Sequence, residues 1–317
     1  MRIFLRISFL IALFLLFIPR VLFSADNVDI AILLKGLSNP YWQALEEGLK
    51  EKSKELNLNT YIQGVLSDSD AEGQLNVCNT MLLRKPKALI FASVNNVNLA
   101  PCLKKASDFG VLLIDVDGGM DQVLAKKIGI DLKFSVASDN YALGKQAAEY
   151  LAQDKGKVLL IEGFAGSIPA VLRAQGFKEN INKDLMIIAS LPGDWDRLKA
   201  ANIASDIFTK HPDLTAVFAA NDVMALGAAE ALITRGGENV KIIGVDGNLD
   251  AVKAIKSGRL TASIAQLPYL MGGQALEKTN KLLFKQEEFE FDQKVPILTL
   301  DRVVLSNTDE PLLQYLR

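Results

Sequence analysis

Histidine, cysteine and surplus charge are all scarce in this sequence. Its 317 residues include one His (His211) and two Cys (Cys78 and Cys102), too few for a His/Cys zinc site or a Cys-x-x-Cys redox pair. The 35 basic and 37 acidic residues give a net charge of −2. A nucleic-acid binder needs a surplus of Lys and Arg on one face, so this class is excluded. A length of 317 residues, half of them apolar, favours two globular domains.

The N-terminus carries only a short apolar run. Arg2 and Arg6 form a basic start, and residues 7–18 are apolar apart from Ser8. As a helix this run would rise about 18 Å, well short of the ~30 Å hydrocarbon core of a membrane. We therefore expect residues 1–25 to be a secretory signal peptide, cleaved after Ala25. The alternative is an uncleaved membrane anchor.

In an exported protein the two cysteines can form a disulfide. Cys78 and Cys102 lie on the helices expected after the second and third strands, and those helices lie side by side in a right-handed βαβ series. An oxidising compartment allows a disulfide between them. Two small buried hydrophobic side chains are the alternative, since free Cys is often fully buried.

Short apolar runs alternate with amphipathic stretches along the whole mature chain. Continuous apolarity is typical of strands buried on both faces, so the sequence predicts parallel sheets covered by helices. The predicted strands are 29–34, 60–65, 88–92, 111–116, 127–131, 157–161, 185–190, 215–219, 240–245 and 261–265. They divide into two groups of five, with the first crossing expected in the polar stretch 131–139. The fold class is α/β, with two doubly wound parallel-sheet lobes.

Several catalytic and cofactor signatures are missing. A dinucleotide-dependent enzyme needs Gly-x-Gly-x-x-Gly after its first strand, where this chain has LKGLSNP. The GFAG stretch at 163–166 is too short for a phosphate-binding loop. The chain also has no metal-ligand cluster and no nucleophile beside a His. We therefore expect neither an enzyme nor a cofactor or metal.

Polar residues cluster where the predicted strands end, the place at which open α/β sheets bind ligands. Carboxylates and carboxamides there can hydrogen-bond pairs of vicinal hydroxyl groups, and aromatic faces suit the C–H faces of a sugar ring. This chemistry fits a polyol. The candidates are Lys35, Asn39, Tyr41, Trp42, Asp117, Ser138, Arg173, Trp195, Asn221, Asp246 and Gln266.

Each candidate also has a purely structural interpretation. Asp117 and Asp246 could cap the helices that follow them. Asn39, followed by Pro40, is a typical helix start. Arg173 could lie on a solvated helix face, and Trp42 could belong to the core. The joint placement of these residues at strand ends favours a binding site.

Several segments carry a family resemblance. They include LLKGLSNPYW (33–42), LPGDWDRLKA (191–200), FAANDVMALGA (218–228), GVDG (244–247) and IAQLP (264–268). With these motifs, the mature chain resembles the periplasmic sugar-binding proteins of the ribose/allose type. These proteins share a core with the LacI-family repressors. A repressor would begin with a helix-turn-helix region of about 60 residues, where this chain has an export segment.

The resemblance implies a receptor that closes on one sugar between two lobes joined by three hinge crossings. It implies that Tyr41 and Trp42 form one aromatic wall and Trp195 the other. The hydroxyl-binding groups would be Asn39, Asp117, Ser138, Arg173, Asn221, Asp246 and Gln266, with Lys35 typical of allose-type members. Ala92 stands where ribose receptors carry Asn, which favours a hexopyranose over a pentose. The segment before Arg173, Ser-Ile-Pro-Ala-Val-Leu, departs from the family's polar, Gly-containing run.

The resemblance also supplies expectations about organisation and partners. One lobe would comprise residues 26–138 and 267–295, and the other residues 139–266 and 296–317. We expect a periplasmic monomer that passes its sugar to an inner-membrane ABC permease. The alternative is a sensor that presents a sugar or polyol to a chemoreceptor or sensor kinase.

Overall fold

The computed structural model describes residues 28–307 and 309–317, so the expected signal peptide lies outside the described residues. Strands and helices alternate along the chain. The strands are β1 Ile30–Gly36, β2 Thr60–Val65, β3 Ala88–Phe91, β4 Leu112–Val116, β5 Leu132–Ala137, β6 Gly156–Glu162, β7 Leu185–Pro192, β8 Leu214–Ala219, β9 Lys241–Asp246, β10 Ala262–Ala265, β11 Asp292–Lys294 and β12 Leu298–Leu300. The α-helices are α1 Pro40–Glu55, α2 Ala71–Leu82, α3 Ala100–Asp108, α4 Gln122–Lys127, α5 Asn140–Tyr150, α6 Ile168–Asn180, α7 Arg197–Lys210, α8 Asp222–Ile233, α9 Leu249–Ser257 and α10 Pro268–Lys285.

The described strands form two six-stranded sheets. The first has the order β11-β5-β4-β3-β1-β2 and the second the order β12-β10-β9-β8-β6-β7. The strand pairs are parallel, except that β12 runs antiparallel to β10. Helices cover both faces of each sheet, and β1 and β3 are buried along their whole length. The predicted fold class of two doubly wound lobes is confirmed.

The fifth strand lies later in the chain than the sequence analysis placed it. Residues 127–131 were expected to be a strand, and 131–139 an irregular crossing. Instead Lys127 ends α4, and Gly129 turns the chain with a φ of 77°. Strand β5 then occupies Leu132–Ala137. The apolar residues of 127–131 that suggested a strand belong to a helix end and its turn, so the expected strand was wrong. The first crossing does fall within 131–139, between β5 and the helix that begins at Asn140, but most of that stretch is strand and not irregular.

Within residues 28–307 the chain passes between the two sheets three times: between β5 and α5, between β10 and α10, and between β11 and β12. After β12, a short 3₁₀ turn at Pro311–Tyr315 returns to the first lobe. There the Tyr315 ring lies 6.5 Å from that of Tyr269 on α10. Arg317 lies 4.4 Å above the same Tyr269 ring and 3.8 Å from Glu47 of α1. The C-terminal tail therefore touches the first lobe, although the sequence analysis grouped residues 296–317 with the second.

A disulfide joins Cys78 of α2 to Cys102 of α3, with their Cα atoms 6.2 Å apart. Both cysteines are fully buried. The two cysteines therefore form a disulfide, which was one of the two alternatives that the sequence left open. Among the described residues, no helix has both the length and the apolar character required to cross a membrane.

Candidate functional site

The carboxyl ends of the two sheets face each other across a small cavity with about 30 Å³ of free space. This space is enough for one or two water molecules. All the predicted site residues except Ser138 line it, and Asp68 and Pro169 line it as well. Ser138 lies at the first crossing, where its hydroxyl donates to the Gln266 carbonyl at 3.3 Å. Ser138 therefore links two of the three crossings beside the cavity, and its role in ligand binding stays a prediction.

In the first lobe, a carboxylate, an ammonium and a phenol meet. Lys35, near the end of β1, places Nζ 3.3 Å from Asp117 Oδ2, and Tyr41 donates its hydroxyl to Asp117 Oδ1 at 2.7 Å. All three side chains are buried. Burial, followed by the charge of Asp117, raises the pKa of Tyr41 well above 10, so the phenol keeps its proton. The Lys35 ammonium also lies 4.9 Å from the centroid of the Trp42 ring, a cation–π contact.

Asn39 acts both as a helix cap and as a cavity residue. Its Oδ1 accepts from the Tyr41 backbone N–H at 3.1 Å, while its Nδ2 donates to Asp68 Oδ2 at 2.7 Å. Asp68 also accepts from the Gly36 N–H at 2.9 Å, and burial raises its pKa. Asp68 is not among the residues predicted from the sequence. It could have been predicted, because it comes shortly after β2 and the other candidates were chosen for following a strand.

The second lobe contributes an arginine, a carboxyl group and a carboxamide. Arg173 of α6 donates to Asn140 Oδ1 at 2.8 Å and to the Ala220 carbonyl at 2.7 Å. Its Nη1 lies 3.7 Å from Asp246 Oδ1, which accepts from Gln266 Nε2 at 2.6 Å. Burial raises the pKa of Asp246 well above its ordinary value, and the Arg173 charge opposes this shift. Gln266 Oε1 is buried and has no hydrogen-bond partner among the described residues, which leaves it as an acceptor at the cavity.

Trp195 forms the aromatic wall of the second lobe. Its indole packs so closely on Gly163 that a Cβ there would lie 2.1 Å from the ring. The Arg173 guanidinium lies 5.6 Å from the ring centroid. Trp195 and Asp194 have φ angles of 64° and 53°, a left-handed conformation that costs free energy in non-glycine residues. The loop is therefore held in a strained shape that presents the indole to the cavity.

Asp117 and Asp246 do not cap the helices that follow them. Helix α4 is capped by Asp121, and Asn248 is the N-cap residue of α9. Asp117 and Asp246 both have left-handed φ angles, of 75° and 126°. Backbone strain of this kind concentrates at functional sites.

Several cavity residues also have a structural role, as helix caps or as part of the core. Asn39 and Asn221 are N-caps, of α1 and α8, and they also line the cavity. Trp42 is 3% exposed and packs edge-on against Tyr41, so it belongs to the core and to the cavity wall at once. Arg173 is also 3% exposed, so it does not lie on a solvated helix face.

The cavity therefore offers donors and acceptors from both lobes and an aromatic side chain from each. No cluster of His, Cys, Asp and Glu that could hold a metal ion occurs in the described part of the chain. Such a set suits a small neutral ligand rich in hydroxyl groups, because carboxylate and amide oxygens accept from hydroxyls while ammonium and guanidinium groups donate to them.

Comparison with known proteins agrees with this geometry. Residues 30–287 match the periplasmic binding protein domain. The chain belongs to the periplasmic binding protein family. The D-allose-binding periplasmic protein of Escherichia coli is 32% identical over 276 residues, which is 83% of this chain and 89% of that protein. The ribose import binding protein of Salmonella typhimurium is 33% identical over 258 residues, covering 80% and 84%. The family resemblance seen in the sequence motifs is confirmed.

Solved structures of other periplasmic binding proteins have the same fold. A solute-binding protein from Actinobacillus succinogenes with bound D-allose aligns with a TM-score of 0.80 and 28% identity, covering 88% of this chain and 99% of that one. One from Agrobacterium vitis with bound D-fucose aligns with a TM-score of 0.83 and 26% identity, covering 90% and 99%.

Proposed function

We propose that this chain is an exported receptor that binds one monosaccharide between its lobes and delivers it to an ABC importer. The observation that carries this proposal is the cavity between the lobes, which is lined by Asp117 of one lobe and Asp246 of the other. A sugar held between them would exchange hydrogen bonds with both lobes at once. It would therefore stabilise the closed arrangement relative to an open one.

In this proposal each cavity residue has a role. The indoles of Trp42 and Trp195 would pack on the faces of the sugar ring, with Tyr41 beside them. The carboxylates would accept hydroxyl hydrogens, the cations would donate to hydroxyl oxygens, and the amides would do either. These polar groups are Lys35, Asn39, Asp68, Asp117, Arg173, Asn221, Asp246 and Gln266.

A hexopyranose of the allose type is the favoured ligand. Lys35 has the position expected of an allose-type receptor, and it is buried against Asp117 in the cavity. The named binders of D-allose among the relatives and the solved structures support the same choice. Ala92 is fully buried at the end of β3 and offers no polar atom of its side chain to a ligand, which agrees with the argument against ribose.

The remaining organisation follows from this role. We propose cleavage after Ala25, a periplasmic monomer, and lobes of 26–138 with 267–295 and 139–266 with 296–317, with the tail at 311–317 reaching back onto the first lobe. We also propose that the chain acts as a receptor and not as an enzyme. Ligand closure would use the three crossings, and micromolar binding of about −8 kcal/mol would include the free energy spent on bringing the lobes together.

A monosaccharide screen tests the proposal. Residues 26–317 would be screened by thermal shift against D-allose, other aldohexoses, D-ribose and polyols, and the hits measured by isothermal titration calorimetry. We expect one-to-one binding, tightest for an aldohexopyranose. A folded protein that binds a pentose far more tightly would overturn the hexose assignment, and one that binds no sugar or polyol would overturn the function.

A further inference from the structure

Protein donors already use part of the hydrogen-bonding capacity of the Asp117 carboxylate. Its Oδ1 accepts from the Tyr41 hydroxyl at 2.7 Å, and its Oδ2 lies 3.3 Å from the Lys35 ammonium. A carboxylate oxygen offers about two acceptor directions. One direction on each oxygen is therefore taken, and one on each remains for the cavity.

Asp246, the carboxyl group of the opposite lobe, is held differently. Gln266 donates to its Oδ1 at 2.6 Å, and Arg173 lies 3.7 Å from the same oxygen. The hydrogen bonds and ion pairs that the described residues make to this side chain all involve Oδ1. Asp246 therefore keeps one oxygen free of protein donors. The two carboxyl groups present unlike acceptor patterns to the cavity.

The Tyr41 hydroxyl is well placed to impose this difference. Its ring is fixed edge-on against Trp42, with centroids 4.8 Å apart. On the outer side, its oxygen lies 3.6 Å from the sulfur of Met271. The hydroxyl carries a single hydrogen, and the charged carboxylate is the stronger acceptor, so this hydrogen stays on Asp117. Because burial keeps the phenol protonated by raising its pKa, the bond persists throughout the physiological pH range.

We propose that the Tyr41 hydroxyl is a specificity-determining group that selects among sugar epimers by limiting how Asp117 can accept hydrogen bonds. With one direction open on each oxygen, Asp117 suits two neighbouring hydroxyls in one relative orientation. In an epimer with one of these two hydroxyls inverted, that hydroxyl points at a direction that Tyr41 or Lys35 already uses. One acceptor direction of Asp117 then stays unpaired. This inference rests on the proposed function, because it concerns the choice among monosaccharides in the same cavity.

The test is the variant Tyr41→Phe, which removes one oxygen and keeps the ring and its contact with Trp42. Calorimetry would measure the wild type and the variant with the best-binding hexose and its single-site epimers at C2, C3 and C4. We expect the ratio of affinities between the best sugar and at least one epimer to change by about fivefold or more, the effect of one hydrogen bond. Melting temperatures without ligand would verify that the variant is folded.

Tyr150→Phe is the matched control, because Tyr150 donates its hydroxyl to the Asp301 carboxylate at 3.3 Å outside the cavity. Its epimer ratios should equal those of the wild type. Equal ratios in Tyr41→Phe, whether all affinities fall together or none changes, would overturn the inference while leaving the proposed function intact. If the wild type bound no sugar, the proposed function itself would fail, and the inference with it.

Discussion

Replacing either cavity carboxyl group with an amide should weaken sugar binding strongly. The variants are Asp117→Asn and Asp246→Asn, which keep the size of the side chain. Each removes a hydrogen-bond acceptor that lies beside a buried cation, Lys35 or Arg173, in a cavity where both residues are less than 5% exposed. Hydrogen bonds to such an acceptor contribute about 1.5–3 kcal/mol, so we expect an affinity loss of roughly 10- to 150-fold for each variant.

The two variants should differ in stability. Asp117 faces the Lys35 ammonium, which is 3% exposed, and breaking a buried ion pair by removing one partner costs about 3–5 kcal/mol. Asp246 lies beside Arg173, whose guanidinium retains Asn140 and the Ala220 carbonyl as acceptors. We therefore expect Asp117→Asn to lower the melting temperature of the closed, sugar-bound protein more than Asp246→Asn does.

Asp121→Asn is the matched control, because Asp121 caps α4 with a 2.7 Å bond to the Leu124 N–H and does not line the cavity. Asn caps helices as well as Asp, so affinity and melting temperature should both stay near wild type. Calorimetry and thermal unfolding at pH 7 provide the comparison. Full retention of affinity in Asp117→Asn or in Asp246→Asn would refute the reasoning for that residue.

Three further predictions concern fluorescence, redox state and pH. Both tryptophans of the chain, Trp42 and Trp195, line the cavity, so saturating sugar should change the intrinsic emission; an unchanged spectrum with calorimetric binding would contradict their placement. The Cys78–Cys102 disulfide closes a loop with a sequence separation of 24, so its reduction should lower the free energy of unfolding by about 3.5 kcal/mol in urea titrations, and a value near zero would oppose this. Burial raises the pKa of Asp115 from 3.8 to about 7. Because the folded state holds this proton more tightly, the protonated side chain adds to the free energy of unfolding below about pH 4, and this stabilisation is lost as the pH rises through 7. The free energy of unfolding of Asp115→Asn, measured in urea relative to that of the wild type, should therefore rise by about 4 kcal/mol between pH 4 and pH 8. A difference between variant and wild type that does not change with pH would contradict the raised pKa.

Much of the cavity could be predicted because parallel strands bring their carboxyl ends to one edge of a sheet. That rule places Asp117 after β4 and Asp246 at the end of β9, in separate lobes, although they are far apart in the sequence. Ser138, selected by the same rule, does not line the cavity. This residue also follows a strand, but the chain crosses between the lobes there, and its hydroxyl bonds to another crossing.

The two missed residues differ in how far the sequence could show them. Asp68 follows β2, so the strand-end rule applied to it as well; in the fold it accepts from the Gly36 N–H, beside a register shift in the pairing of β1 with β2 between Leu33 and Gly36. Pro169 enters it at the start of α6, within the segment that departs from the family pattern. Neither the register shift nor the helix position follows from apolar periodicity, which gives the existence of an element more reliably than its exact placement.

The most direct test of the central claim is a crystal structure of residues 26–317 with the tightest-binding sugar of the screen. The account predicts one sugar ring enclosed between the lobes, with hydroxyl groups within hydrogen-bond distance of both Asp117 and Asp246 and an indole beside the ring. A sugar bound outside this cavity, or one that contacts the residues of a single lobe, would contradict it.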